Sequence, residues 1–227
     1  MSTRSTVSAA VLAGGAAGLV LLIAGGGEAS ADGEIAVTIT NLTRAQPLSP
    51  PVVAAHSANG PQLFVAGQPA SAELAMVAQD AINGPLVSLL EGDPEVADVQ
   101  QGAAPIPPGG SDTVLVDAPS SFRLVSLASM LVNTNDAFIG IQHIAAPRTG
   151  VTTLFVPAWD AGSEVNDEDC ENIPGPACGD TDQGGQPEEG FVHIHNGVHG
   201  GADLDPAVHD WRNPVARIDI RRARRGD

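Results

Sequence analysis

Residues Glu34–Thr43 read EIAVTITNLT, with Ile35, Val37 and Ile39 alternating against Ala36, Thr38 and Thr40. This period of two belongs to a strand with one buried face. Pro47, Pro50 and Pro51 then stop the pattern. Short apolar runs recur downstream at 52–55, 63–65, 96–100, 112–117, 123–132, 137–142, 151–156, 190–196 and 215–220, separated by Pro, Gly, Ser or Asn. Two stretches break the rhythm. Ser71–Ala81 places a capping Ser before Leu74, Val77 and Ala78 on one helical face. Pro85–Glu91, followed by Gly92, predicts a second short helix. Eight or more strands with one or two helices in the connections predict an all-β fold, an antiparallel β-sandwich.

Composition agrees. The 227 residues include 26 Gly and 18 Pro but only 3% aromatic residues, which disfavours a helical bundle. Asp and Glu number 27 against 10 basic residues, all Arg, for a formal charge of −17. A net charge this negative disfavours nucleic acid, whose phosphates require clustered cations, and favours cations as ligands. No internal repeat is present.

The first 31 residues are expected to be a signal peptide, an uncleaved N-terminal anchor being the rival reading. Arg4 is followed by the uncharged stretch 11–24 and by the small residues Ala29-Ser30-Ala31. The stretch is shorter than the roughly 20 residues a membrane span needs, so no transmembrane segment is expected in the mature chain. Residues 32–222 then form one domain and 223–227 complete a basic tail, six of the ten Arg lying at or beyond 212. The expected location is secreted, periplasmic or cell-surface. Cys170 and Cys178, eight apart across Pro174, Gly175 and Pro176, suit a local disulfide in an oxidising compartment.

Thirteen of the acidic residues fall between Asp160 and Asp210. Two groupings stand next to turns: Asn133-Thr134-Asn135-Asp136, and Trp159-Asp160-Ala161-Gly162-Ser163-Glu164. Loops at one end of a sandwich converge, so Asp136, Asp160 and Glu164 are candidate oxygen ligands for Ca²⁺, which takes six to eight hard oxygens. A solvated acidic loop is the plain alternative, and salt adaptation without a bound ion is a third.

The runs 127–140 (LASMLVNTNDAFIG) and 156–168 (VPAWDAGSEVNDE) resemble the spondin domain, the N-terminal domain of F-spondin, which has single-domain bacterial relatives. Residues 190–200 (GFVHIHNGVHG) and 210–218 (DWRNPVARI) are similar to the bacterial branch. The likeness extends from about residue 36 to 222. It implies a C2-like antiparallel sandwich binding one calcium ion through Asp136, Asp160 and Glu164. Animal members carry Asp where this chain has Glu164. Their thrombospondin-type repeats are absent, so their matrix and guidance roles do not transfer.

His193, His195, His199 and His209 form a second cluster. On a strand, His193 and His195 share a face, and with His199 they are an alternative Zn²⁺ or Cu²⁺ site. The plain reading has them hydrogen-bonding within a polar loop, to one another or to Asp205 and Asp210. No Gly-x-Ser-x-Gly turn or phosphate-cradling loop is present, and the absence of Lys excludes a Schiff base. The expectation is a non-enzymatic, monomeric calcium-binding module that contacts an extracellular protein or envelope component. The alternative is an exported copper or zinc protein with redox or hydrolytic activity.

Overall fold

The computed structural model describes residues 33–179, 184–187 and 190–223. The expected signal peptide, the tail from 224 onward and six residues of the acidic loop (180–183, 188 and 189) lie outside the described residues.

The chain forms β1 (Glu34–Asn41), β2 (Val52–His56), α1 (Ala72–Asp80), α2 (Gly84–Glu91), β3 (Val96–Gln101), β4 (Ser111–Asp117) and β5 (Leu124–Met130). There follow β6 (Ala137–Ala145), β7 (Val151–Val156), β8 (Trp159–Asp160), β9 (His193–Ile194), the short α3 (Pro206–His209) and β10 (Ala216–Arg222). Two antiparallel sheets result, ordered β4-β1-β10-β7 and β3-β2-β5-β6-β8-β9, the β-sandwich that the alternation predicts.

The alternating residues of β1 do what their period requires. Ile35, Val37 and Ile39 are buried, and β1 pairs with β10 in the register Val37↔Ile220 and Ile39↔Ile218. These side chains pack with Val53, Val125, Leu127 and Ile139 of the second sheet. Each large apolar side chain removed from water there contributes roughly 1.5–3 kcal/mol.

The six-stranded sheet is covered on its other side as well. Val52, Ala54, Ala128 and Phe138 lie against Leu74, Val77 and Ala78 of α1 and against Leu86 and Leu90 of α2. This double burial explains why β2 and β5 read as continuous apolar runs instead of alternating. Helix α1 starts where the sequence predicts, with the Ser71 hydroxyl accepting the Leu74 N–H at 3.1 Å.

Two local expectations are corrected and one element is added. Residues 63–65 form no strand; Leu63 and Phe64 instead cover the sheet, the Phe64 ring meeting Phe138 and Trp159 at centroid distances of 5.2 Å. The strand expected over 190–196 shrinks to β9. The added element is Trp159–Asp160, which just past Pro157 forms the two-residue β8 between β6 and β9. Among the described residues, no helix is long and apolar enough to cross a membrane. Cys170 and Cys178 are disulfide-bonded, with Cα atoms 4.8 Å apart.

Candidate metal centre

Sheet register puts two carboxylates side by side. Asp136 immediately precedes β6, and β8 pairs with the start of that strand as Ala137↔Asp160. The Ala161 N–H closes the corner by donating to the Asp136 carbonyl at 3.2 Å. Both aspartates are fully buried at 0% exposure.

The residues before Asp136 build the loop that holds it. Asn133 donates to the Ala45 carbonyl and accepts the Ala177 N–H. Thr134 Oγ1 donates to the Leu131 carbonyl at 2.6 Å and accepts the Ala137 N–H, closing the turn. Asn135 donates to Asp167 Oδ1 and accepts the Glu168 N–H, tying this turn to the acidic loop. All three side chains are buried, so the Asn-Thr-Asn-Asp run is a hydrogen-bonded hub rather than a wet loop.

The two carboxylates are satisfied unequally. Asp160 accepts the Gly162 N–H on Oδ1 and the Asn166 amide on Oδ2, both at 2.7 Å. Asp136 gathers three donors on Oδ2: Ser163 N–H at 2.7 Å, Ser163 hydroxyl at 2.9 Å and Glu164 N–H at 3.0 Å. Its other oxygen, Oδ1, is buried and accepts no hydrogen bond among the described residues. Burial above all, and then the Asp160 charge, push the Asp136 carboxyl up to about 6, against the pull of those three donors. Among the described residues, neither aspartate has an Arg ion pair; the groups within salt-bridge distance of Asp160 are imidazoles.

Glycine is required at the bend that follows. Gly162 has φ +64°, and a Cβ there would stand 2.3 Å from the Phe191 carbonyl oxygen. Glu164, also buried, gives its N–H to Asp136, while its Oε1 accepts the Gly185 N–H at 2.7 Å. The structure therefore brings Asp136 and Asp160 together and joins Glu164 to them through its main chain. Among the described residues, no three His, Cys, Asp or Glu side chains are grouped so as to hold a metal ion.

The histidines divide. Nε2 of His193 lies 3.7 Å from Asp160 Oδ1, and Nε2 of His195 lies 3.8 Å from Asp160 Oδ2. Both thus face one carboxylate, as their two-residue spacing predicts. His195 Nδ1 accepts the Gly197 N–H at 2.9 Å, so Nε2 carries the proton and donates to Asn166 Oδ1 at 2.7 Å. Burial holds this imidazole down at about 4, outweighing the opposing Asp136 charge. His199 turns elsewhere: its side chain is 68% exposed, with Nδ1 3.9 Å from Glu168 Oε1. Asp205 and Asp210 do not bond these rings; Asp205 caps α3, and Asp210 accepts from Val198 and Arg212.

Two site residues escape the sequence patterns. Asn166 bridges Asp160 and His195. The buried Glu168 carboxylate collects the N–H groups of His199, Gly200 and Gly201, locking the histidine loop to the acidic loop. The Gly200-Gly201 pair is the one sequence signal for that cradle, since consecutive small residues let a carboxylate reach successive amides.

No family model matches the chain, and no curated protein matches it.

Proposed function

We propose that the chain is an exported, non-enzymatic calcium-binding β-sandwich of the spondin-domain kind that works as an extracellular or cell-surface interaction module. The observation that carries this reading is the bare, fully buried Oδ1 of Asp136 beside a second fully buried carboxylate. Two such charges with no guanidinium between them are costly, and the cost falls when a cation joins them. The donors are hard oxygens, which suits Ca²⁺. Asp136 and Asp160 would hold the ion, with Glu164 on the adjoining turn; calcium would supply the missing positive charge. The residues of this chain do the rest. Asn135, Ser163, Asn166 and the Gly162 bend orient the carboxylates, and Glu168 pins the neighbouring loop. An ordered loop end of this kind is a surface on which a partner docks without first having to order it.

The placement of His193 and His195 on the two oxygens of Asp160 supports a second reading, a Zn²⁺ or Cu²⁺ centre. His195 counts against it, because both of its ring nitrogens are already hydrogen-bonded. Metal analysis of the purified protein separates the readings. Bound calcium that survives replacement of His193 and His195 together supports the first; stoichiometric zinc or copper lost in that variant replaces it with the second.

A further inference from the structure

An open cleft of about 390 Å³ lies beside α3, lined by Leu42, Arg44, Pro206, Asp210, Trp211 and Arg212. Two of the ten arginines of a chain with formal charge −17 meet there. Neither guanidinium is used up by the protein. Arg44 spends Nη2 on the carbonyls of Ala207 and Val208 in α3. Arg212 spends Nη1 on Asp210 Oδ2 and the Trp211 carbonyl. Nε and Nη1 of Arg44 and Nε and Nη2 of Arg212 make no hydrogen bond among the described residues. Arg212 therefore still offers its Nε/Nη2 pair in the fork geometry that matches a planar oxyanion, and Arg44 offers Nε and Nη1 as single donors.

We infer that this cleft binds a carboxylate, and that its natural ligand is the C-terminal carboxylate of a peptide ending in an apolar residue. Charge selects the first part. Two guanidiniums and the Asp210 carboxylate leave one net positive charge, which a monoanion balances and a phosphate dianion exceeds. The walls select the second. Leu42 is 43% exposed and stands with Pro206, giving an aliphatic surface next to the cations. Trp211 is only 8% exposed, so the cleft has no open aromatic face on which a sugar ring would stack. Chain-end carboxylates are a recurrent target of peptide recognition. The cleft shares no residue with Asp136, Asp160 and Glu164 and does not depend on them. Its Trp211 ring meets that of His195 at a centroid distance of 5.1 Å.

The test is calorimetric titration of the whole protein with N-acetyl-Ala-Leu as the free acid, with its C-terminal amide and with glucuronate. The expected result is saturable one-to-one binding of the acid alone. Arg212→Gln, a change at a side chain that is 89% exposed, is expected to weaken it about tenfold, the worth of one charge-assisted bond pair. Arg44→Gln is expected to weaken it similarly, with its melting temperature checked because Arg44 also braces α3. Equal binding of acid and amide, no acid binding up to about 10 mM (weaker than a useful ligand of this size), or an unchanged affinity in Arg212→Gln overturns the inference. Glucuronate binding as tightly as the peptide overturns the choice of peptide.

Discussion

The six-stranded sheet buries two polar constellations that solve the same problem differently. In the first, His56 donates from Nδ1 to the Ser57 carbonyl at 2.8 Å, which leaves Nε2 to accept the Ser126 hydroxyl at 2.8 Å. Ser126 Oγ in turn accepts the His143 N–H at 3.0 Å, and His143 takes a left-handed φ of +53° at that point. His56 and Ser126 are both 1% exposed, and burial holds the His56 imidazole below its ordinary value. Every polar atom of that pair has a partner, so the cluster is closed and neutral. In the second, Asp136 and Asp160 are equally buried but both acidic, and one oxygen is bare. A closed polar cluster needs nothing from outside. An open one needs a cation or a proton.

The contrast breaks most readily through the metal. Calcium at 100- to 1,000-fold above its dissociation constant is expected to raise stability by about 3–4 kcal/mol, read as a rise in melting temperature. Asp136→Asn with Asp160→Asn abolishes that rise; an equal rise in the double variant refutes the calcium reading in favour of surface screening. Removing the ion gives the next largest effect. The folded-state value of Asp136 lies above its ordinary 3.8, so the ionised carboxylate opposes folding. In chelator its contribution is intact below pH 4 and is lost as pH rises to about 6, on the order of 3 kcal/mol. His195 and His56 pull the other way, because imidazoles kept neutral by burial lose stability as pH falls below 6.5. The measurement is therefore the difference between wild type and Asp136→Asn across pH 4–7, which widens in favour of the variant as pH rises.

The closed cluster is expected to be indifferent to calcium. Ser126→Ala strands His56 Nε2 and the His143 N–H, costing about 1–3 kcal/mol in denaturant melts, and by the same amount with or without the ion. A calcium-dependent loss would show that the two clusters communicate. The smallest effect is at His199. With its side chain turned to solvent, His199→Ala is expected to shift stability by less than about 0.5 kcal/mol and to leave the calcium response unchanged. Loss of bound zinc or copper in that variant would restore the three-histidine site.

Much of the framework could be read locally. The β1 alternation, the Ser71 cap and the cysteine spacing each express a constraint acting within a few residues, and each has its counterpart in the structure. The turn residues flanking Asp136 and Asp160 were legible for the same reason: Asn, Thr, Asp and Gly mark places where side chains replace backbone partners. What no local pattern holds is which carboxylates meet. Strand β8 is two residues long, too short to show a period, and it exists because β6 and β9 lie on either side of it. Asn166 and Glu168 look like any other members of a polar run until the fold sets them against His195 and the Gly200-Gly201 amides. The longer elements followed from the chain itself because propensity and periodicity are short-range. The pairing of Asp136 with Asp160, and the cleft between Arg44 and Arg212, were decided by tertiary structure, because register between distant segments is set by the burial of the whole core.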